Sequence, residues 1–272
     1  MFFTCPRCGG ELTSASENTK KCPLGHSFDR AREGYYNLLL SQSGGTHGDN
    51  SEMVRARREF LSYGYYEPMA RRVAEMVLDV HPASGILLDM GLGEGYYTDI
   101  VEREIYPRDG ESHVLGFDIS KDAVRYSAKR NKRLSLAVAS SYDVPLPASS
   151  VDTVLNLFSP MATSEVARVL RPSGHFVFVY PGTEHLFGLK EAVYKTPYKN
   201  KPEAEELDGF LLVCRDEIKY TVTVEGRDRV RSLFMMTPYA YRTGREERER
   251  ALSLDSVKTE LEFIINVYRK AD

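Results

Sequence analysis

The sequence predicts an α/β protein built on a doubly wound parallel sheet, with a small metal-binding module at its N-terminus. Three observations support this prediction: an apolar run that ends in a glycine-rich turn, apolar strands that alternate with helical segments through residues 86–180, and two Cys/His pairs near the N-terminus. We expect the module to span residues 1–40, a linker and helices to span residues 41–80, and the sheet domain to span residues 81–272.

The first strand and its turn have the sequence Leu-Leu-Asp-Met-Gly-Leu-Gly-Glu-Gly over residues 87–95. Glycine allows positive φ and lets a ligand approach the main chain closely. The dinucleotide-binding fingerprint is excluded, because Tyr96 stands where that pattern needs its third glycine. The turn resembles instead the first motif of class I S-adenosylmethionine (SAM) methyltransferases. The residues that we expect to bind SAM at this turn are Asp89, Gly91, Gly93, Glu94 and Gly95.

A second apolar strand, residues 113–117, ends in Asp118, 27 residues beyond Gly91. An acidic residue at this point can accept hydrogen bonds from both hydroxyls of a ribose. The pattern then predicts, in order, a helix over 121–132, strands over 134–139 and 151–156, a helix over 166–174 that closes on a turn, and a strand over 175–180. This series resembles the SAM-methyltransferase sheet and predicts SAM as the cofactor.

Composition limits the classes of function. A chain of 272 residues with 42% hydrophobic residues can bury one full-sized core with small attachments. The N-terminus has no signal-peptide pattern, and no run approaches the ~20 apolar residues that a membrane helix needs. A formal charge of −3 argues against coating nucleic acid by bulk charge, so RNA contact would need a local patch. We expect a soluble, cytoplasmic protein with no membrane partner.

Three of the four cysteines lie in the first 22 residues, in the patterns Cys5-x-x-Cys8 and Cys22-x-x-x-His26. Two close pairs joined by a 13-residue loop can give one tetrahedral Zn²⁺ three thiolates and an imidazole. A redox Cys-x-x-Cys is the competing interpretation, but it needs no second pair, and a disulfide would leave one cysteine over. Four protein ligands leave no open position, so the predicted zinc is structural.

Two further residues bear on this prediction. His47 is an alternative ligand to His26, but its Gly-rich, polar neighbours over residues 41–51 are typical of a flexible linker. Cys214 follows the apolar stretch 210–213, so we expect it to be a buried small side chain.

Basic and aromatic residues cluster after the linker. Residues 52–63 predict a helix that carries Arg55, Arg57 and Arg58, and a longer amphipathic helix runs to Val80. Such a charge run usually forms a solvated helix face, and binding of RNA by the three arginines is the alternative. Tyrosines that could then stack on an exposed RNA base are Tyr35, Tyr36, Tyr63, Tyr65 and Tyr66.

Several motifs in a fixed order point to one family. They are the Cys/His pairs, Arg32-Glu-Gly-Tyr-Tyr-Asn-Leu-Leu39, Gly48-Asp49, Met53-x-x-Ala-Arg-Arg-x-Phe-Leu61, Gly93-Glu-Gly-Tyr-Tyr-Thr98, Ala139-Ser-Ser141, Pro181-Gly-x-x-His-Leu186 and Met236-Thr-Pro-Tyr239. Together they resemble the RlmA-type methyltransferases, which methylate N1 of a guanine in a hairpin loop of 23S ribosomal RNA. The family has two branches that act on neighbouring guanines, and one branch includes tylosin-resistance enzymes. The His47-Gly48-Asp49 stretch resembles the Gram-positive-type branch.

The resemblance implies roles for individual residues. Zinc ligands of the family match Cys5, Cys8, Cys22 and His26. Family positions that contact SAM match Tyr66, Gly93, Glu94, His185 and, for the ribose, Asp118. Two positions depart from the usual patterns. Leu92 stands where the family often has cysteine, and Ser140 or Ser141 stands where a generic methyltransferase has an aspartate beside the adenine.

The acceptor side is less well defined by the sequence. Residues 156–160 follow the fourth strand, where such enzymes shape the acceptor pocket, so Phe158 is a candidate pocket wall and Asn156 a candidate hydrogen-bonding group. A purely structural role for both is the alternative, and no catalytic base is assigned. The partner implied is a 23S rRNA hairpin, and a homodimer is among the expected assemblies. The other function classes are a small-molecule SAM methyltransferase and a zinc-dependent RNA-binding protein with an inactive SAM site.

Overall fold

The computed structural model describes residues 2–40, 48–201 and 205–271 of the chain. Residues 41–47 of the predicted linker, which include His47, therefore lie outside the described residues. No helix of the described ranges is long and apolar enough to cross a membrane.

The N-terminal module (residues 2–40) is a three-stranded antiparallel sheet whose final segment joins the main sheet. Its strands are β1 (Thr13–Ser14), β2 (Thr19–Lys21) and β3 (Ser27–Asp29), in the order β1-β2-β3. The next strand, β4 (Tyr36–Asn37), leaves this small sheet and pairs in parallel with a strand of the main sheet. The module is thus attached to the sheet edge by main-chain hydrogen bonds.

The main sheet has eight strands in the order β10-β11-β9-β8-β5-β6-β7-β4. The strands after β4 are β5 (Ile86–Met90), β6 (His113–Asp118), β7 (Ser135–Val138), β8 (Val151–Leu157), β9 (Leu170–Pro181), β10 (Phe210–Glu225) and β11 (Ser256–Lys270). Strands β4 to β9 pair in parallel, whereas β11 is antiparallel to both β9 and β10. The predicted doubly wound sheet is confirmed, but it is mixed because an antiparallel pair of long strands, β10 and β11, forms one edge.

Helices connect these strands and cover the sheet. They are α1 (Ser51–Ser62), α2 (Glu67–Val80), α3 (Tyr96–Asp109), α4 (Lys121–Arg130), α5 (Thr163–Val169), α6 (Phe187–Val193), α7 (Arg227–Met235), α8 (Tyr239–Arg242) and α9 (Arg245–Ser253). The side chain of Asn50 caps α1 by accepting a 2.9 Å hydrogen bond from the backbone N–H of Met53. The side chain of Ser120 caps α4 in the same way.

The helix predicted to run to Gly174 ends earlier, at Val169. Leu170 is already extended and pairs with Val151, and the register shifts before the rest of β9 pairs with β8. Pro172 explains the early end, because proline disfavours a helical conformation at the residue before it and has no N–H to continue the helix.

Cys214 lies on β10, the outermost strand, and the prediction that it is buried is wrong. It is exposed, as are its neighbours Leu211, Leu212 and Val213. A strand with a neighbour on one side only, lying at the edge of the sheet, leaves its side chains more open to solvent than a central strand does. An apolar run alone could not distinguish this edge from a buried strand.

Two hydrophobic cores form on the two faces of the sheet. One packs helices α1, α2 and α7 against the sheet, with Phe60 and Val73 fully buried. The other contains Phe3 and Leu12 of the N-terminal module together with Leu88 of β5 and residues of β6, β8 and β9. The module therefore shares a core with the sheet. Unfolding it would expose apolar surface of both.

Candidate active site and metal centre

The four predicted zinc ligands converge on one point of the N-terminal module. Their ligand atoms all lie within 4.8 Å of one another. The Sγ atoms of Cys8 and Cys22 are 3.6 Å apart, and His26 Nδ1 is 3.3 Å from Cys22 Sγ and 3.5 Å from Cys5 Sγ. A tetrahedral Zn²⁺ with ordinary bond lengths separates its sulfur and nitrogen ligands by about 3.5–3.8 Å. The donor set and its spacing therefore fit zinc.

Two tight turns hold these ligands in place. The carbonyl of Cys5 accepts a 2.8 Å hydrogen bond from the N–H of Gly9, and the carbonyl of Cys22 accepts one of 2.9 Å from Gly25. Gly9 and Gly25 have φ values of +69° and +82°, which other residues rarely adopt. Although burial opposes ionisation, hydrogen bonds from neighbouring groups lower the pKa of the Cys22 thiol to about 7. This favours the thiolate, which is the form that binds metal.

A cavity of about 490 Å³ opens at the carboxyl ends of β5, β6, β8 and β9. Eight of the predicted SAM-binding residues line it: Tyr66, Asp89, Gly91, Gly93, Glu94, Asp118, Ser140 and His185. Gly95 is not in the lining, because it lies behind the turn as the residue that precedes α3. Phe158 lines the cavity, whereas Asn156 does not.

The three glycines of the turn serve different purposes. All have positive φ, at +83° for Gly91, +59° for Gly93 and +80° for Gly95. A Cβ on Gly91 would lie 2.5 Å from the side chain of Ser159, and one on Gly95 would lie 2.4 Å from Ser127 Oγ. A Cβ on Gly93 would meet nothing closer than 3.9 Å. Packing thus demands Gly91 and Gly95, while Gly93 leaves its main chain open to a ligand.

Asp118, at the end of β6, connects that strand to the glycine turn through hydrogen bonds. Its Oδ2 accepts a 3.0 Å hydrogen bond from the N–H of Gly93, and its Oδ1 accepts one of 2.8 Å from the N–H of Ser120. Burial raises the pKa of this carboxyl. A carboxylate offers about four lone-pair sites, so both oxygens can still accept hydrogen bonds from a ligand.

Two further buried carboxyls line the cavity with one oxygen each unpaired. Asp89 accepts a 2.6 Å hydrogen bond from the Thr98 hydroxyl through Oδ2, and Glu94 pairs with Arg130 at 2.6 Å through Oε2. Asp89 Oδ1 and Glu94 Oε1 have no partner in the described part of the chain. Burial raises the pKa of Asp89 to about 7 and also raises that of Glu94. These oxygens suit a ligand that carries positive charge and N–H donors.

A buried pair, Tyr66 and His185, closes another wall of the cavity. Tyr66 Oη lies 3.1 Å from His185 Nε2, and His185 Nδ1 accepts a 3.3 Å hydrogen bond from the N–H of Glu262. Burial lowers the pKa of His185 to about 3, so the ring is neutral and its proton lies on Nε2. Because Nε2 then donates to Tyr66 Oη, the tyrosine hydroxyl keeps its own proton for a ligand acceptor.

The acceptor candidates differ in their surroundings. Phe158 has a φ of +56°, and its ring centroid is 5.8 Å from those of both Tyr97 and Phe263. A non-glycine residue in this strained conformation is typical of a functional site. Asn156 is fully buried in β8, where its Nδ2 donates to the carbonyl of Pro160 at 3.3 Å. Asn156 therefore shapes the loop that carries Phe158.

The three arginines of α1 do not share one face. Arg57 lines the cavity, where it pairs with Asp49 and donates to the carbonyl of Met236 at 3.2 Å. Arg55 and Arg58 are exposed, and the Arg58 guanidinium lies 4.9 Å from the ring centroid of Tyr126. Three of the tyrosines considered for base stacking are buried, namely Tyr35, Tyr36 and Tyr66. That part of the stacking interpretation is wrong.

Two segments of the cavity wall were not among the predicted site residues. They are Gly48–Asp49, before α1, and residues 236–239, after α7. The hydroxyl of Ser120 donates to the carbonyl of Asp49 at 3.1 Å and so fixes the first segment beside Asp118. Both segments are motifs of the family resemblance, which was the one signal in the sequence that could have identified them.

Comparison with known proteins gives the family. Residues 3–44 match the zinc-ribbon model described as RlmA, N-terminal, and residues 88–178 match a model described as Methyltransferase domain. The chain is 32% identical over 259 residues to the 23S rRNA (guanine(748)-N(1))-methyltransferase of Streptomyces fradiae, covering 93% of this chain and 90% of that protein.

Two other relatives agree with this result. A Micromonospora griseorubida protein, provisionally named as a 23S rRNA (guanine-N(1)-)-methyltransferase, is 35% identical and covers 68% of this chain and 67% of its own length. The Bacillus subtilis protein YxjB, with the same provisional name, is 29% identical and covers 88% of this chain and 87% of its own length. With its zinc-ribbon module, its methyltransferase sheet and this similarity over nearly its full length, the chain belongs to the RlmA-type 23S rRNA (guanine-N1)-methyltransferase family.

Proposed function

We propose that this protein transfers the methyl group of SAM to N1 of a guanine in a hairpin loop of 23S rRNA. The observation that carries the proposal is the 32% identity, over 93% of the chain, to a protein named for N1 of guanine 748. We therefore favour the guanine equivalent to 748 as the target. Domain limits of 1–40, 41–80 and 81–272, a cytoplasmic location and a role in resistance to tylosin are parts of the same proposal.

The cavity fits SAM by its chemistry. Asp118 supplies acceptors for the ribose hydroxyls, and the Tyr66 hydroxyl supplies a donor for a carboxylate. The carboxyls of Asp89 and Glu94 line the cavity with one unpartnered oxygen each, and their negative charge favours a cationic ligand. We assign to the same site Gly91, Gly93, Ser140 and His185, whereas Gly95 acts only through the shape of the turn. When bound, SAM supplies a methyl group on a positively charged sulfur.

The protein's own contribution is placement of the acceptor. A guanine in a hairpin must leave its stack before N1 can reach the cavity. Phe158, 40% exposed at the cavity wall, offers a ring against which the base can rest. Guanine N1 loses a proton in the reaction, and in-line positioning lowers the barrier to the transfer.

Primer extension tests the target. Purified protein is incubated with SAM and 23S rRNA from cells that lack the gene. We expect a new stop at the guanine equivalent to 748, because N1-methylguanine cannot pair with cytosine. A stop at a neighbouring guanine would refute the assignment of the position, and transfer to small metabolites without transfer to RNA would refute the proposed function.

RNA binding measured at several salt concentrations, together with the methylation assay, tests RNA contacts on α1. We propose that Arg55 and Arg58, which are exposed, contact RNA phosphates. Reversing both charges to Glu should weaken RNA binding by about tenfold and flatten its dependence on salt, without changing SAM affinity. Arg57 is left out of this variant because it lines the cavity. Unchanged methylation at subsaturating RNA would mean that these two arginines form only a solvated helix face.

The affinity for SAM should depend on pH through Asp89. Its pKa is raised by burial to about 7, so the carboxyl is mostly protonated at pH 6 and mostly ionised at pH 8. A cationic ligand favours the ionised form, so binding at pH 6 should release a proton. We expect SAM affinity to fall by about tenfold from pH 8 to pH 6.

Calorimetry in two buffers of different protonation enthalpy measures this proton directly. The Asp89→Asn variant isolates the contribution of Asp89, since the amide keeps the size and cannot titrate. We expect this variant to bind SAM more weakly at pH 8 and to release fewer protons at pH 6. Equal proton release by the variant and the original protein would contradict the role given to Asp89.

A further inference from the structure

Lys190, on α6, is an unusual residue that the proposed reaction does not use. Its side chain is 1% exposed, and it forms no ion pair with any residue of the described ranges. Its ammonium donates to Asn200 Oδ1 at 2.6 Å and lies 4.5 Å from the ring centroid of Tyr198 and 4.9 Å from that of Tyr239. The two tyrosine rings thus take the place of a counter-ion for this buried charge.

This arrangement fixes the ring of Tyr198. One face contacts the Lys190 ammonium, and the rings of Tyr194 and Tyr239 lie beside it at centroid distances of 5.8 Å and 6.5 Å. Tyr198 is nevertheless 52% exposed, which is unusual for an aromatic side chain with so many partners. A ring already held in one orientation loses little conformational entropy when a second flat group stacks on it.

The position of Tyr198 relates it to the reaction. Tyr239 packs edge-to-face against Tyr198 and also lines the cavity, so Tyr198 lies one ring away from the cavity wall. Asn200, which accepts the hydrogen bond from Lys190, donates to the carbonyls of Gly182 and His185. The loop that carries Tyr198 is therefore fastened to the loop that carries a predicted SAM-binding residue.

An exposed arginine lies near the same tyrosine cluster. It is Arg242, at the end of α8, the short helix that begins at Tyr239. RNA loops are bound by aromatic rings that stack on bases and by arginines that contact the phosphates between them. Tyr198, which packs against Tyr239, and Arg242, on the same short helix as Tyr239, supply one group of each kind.

We propose that Tyr198, held from beneath by Lys190, is a stacking platform for an unpaired nucleobase next to the guanine that enters the cavity. Arg242 contacts the phosphate backbone beside that base. This proposal rests on the proposed function and adds a second base-binding subsite to it. When the target guanine leaves the loop to enter the cavity, the neighbouring base loses one of its stacking partners. The ring of Tyr198 then replaces that partner.

Fluorescence of 2-aminopurine tests the platform. The probe replaces one nucleotide on either side of the target guanine in a synthetic 23S rRNA hairpin, and its emission falls when the base stacks on an aromatic ring. We expect emission at one of the two positions to fall on binding to the original protein and not to fall with Tyr198→Ala. The Tyr198→Phe variant keeps the ring, so it should quench the emission of 2-aminopurine as strongly as the wild-type protein does.

Kinetics provide the second readout. Loss of one base stack should raise KM for the hairpin on the order of tenfold, with kcat and SAM affinity little changed. Tyr106→Ala is the matched control, because Tyr106 is 47% exposed and has Arg133 4.5 Å from its ring centroid, but it lies on α3 and does not line the cavity. We expect that control to leave KM unchanged.

Three outcomes would overturn the proposal. They are an unchanged KM and unchanged quenching in Tyr198→Ala, an equal rise in KM in Tyr106→Ala, and a change of oligomeric state in Tyr198→Ala by sedimentation, which would assign the ring to contact with a second copy of the chain. In each case the wild-type protein would still methylate the rRNA. Failure of the subsite is therefore distinguishable from failure of the proposed function.

Discussion

Replacing Asp118 with alanine is expected to lower SAM affinity by ten- to a hundredfold. The carboxylate accepts hydrogen bonds from the N–H groups of Gly93 and Ser120 and retains lone pairs for the ribose. The alanine variant loses the bonds to the ligand, and it also removes the acceptor for the N–H groups of Gly93 and Ser120. Losing the hydrogen bonds to this charged group should cost about 1.5–3 kcal/mol in total, which corresponds to the expected change in affinity.

Titration calorimetry with SAM measures this effect, and Asp122→Ala is the matched control. Asp122 lies in the first turn of α4 and pairs at the surface with Arg125 at 3.1 Å. Thermal unfolding of both variants separates a loss of binding from a loss of fold. If Asp118→Ala binds SAM as tightly as Asp122→Ala does, then the ribose does not lie at the end of β6.

The elements that could be predicted from the sequence are those whose signals are local. The turn at Gly91, Gly93 and Gly95 requires positive φ at three fixed positions, and the metal-binding turns require glycine at fixed offsets from cysteine. Strands β5 to β9 alternate with helices, except between β7 and β8, and this alternation predicts a parallel sheet. In each of these cases a few neighbouring residues determine the geometry.

The features that could not be predicted depend on partners distant in sequence. Arg57 belongs to the cavity because Asp49 and the carbonyl of Met236 hold it there, whereas the sequence predicted either a solvated helix face or contact with RNA. Cys214 is exposed because β10 is the outermost strand, a fact that the strand's own residues do not encode. The Lys190 site likewise forms only when Tyr198, Asn200 and Tyr239 are brought together.

Removal of the zinc ligand Cys8 is expected to abolish RNA methylation. The purified protein should contain one zinc ion per chain, and Cys8→Ser should lose it. Cys8 is exposed, so the substitution removes a ligand with little loss of packing. Structural zinc contributes about 10–16 kcal/mol to the folding of small domains, which equals or exceeds the stability of a typical domain, so the N-terminal module should unfold without it.

The consequence for SAM should be smaller and is set by β4. Its main chain pairs with β7 at Ala137 and Val138, and the N–H of Leu38 donates to the carbonyl of Val138 at 2.9 Å. Ser140, which lines the cavity, follows directly. Unfolding of the module removes this support from β7. We expect the effect on the cofactor site to equal the loss of about one hydrogen bond, ~1 kcal/mol, which corresponds to a roughly fivefold loss of SAM affinity.

Metal analysis, SAM calorimetry and methylation of rRNA test these expectations together. Cys214→Ser is the control, because Cys214 is also exposed but lies on β10, outside the cluster of metal ligands. It should keep its zinc and its activity. A protein isolated without zinc, or a Cys8→Ser variant that methylates rRNA at the original rate, would contradict a structural metal. Loss of SAM binding as severe as in Asp118→Ala would mean that the module supports the whole cofactor site, since disorder would then extend beyond β7 to the glycine turn.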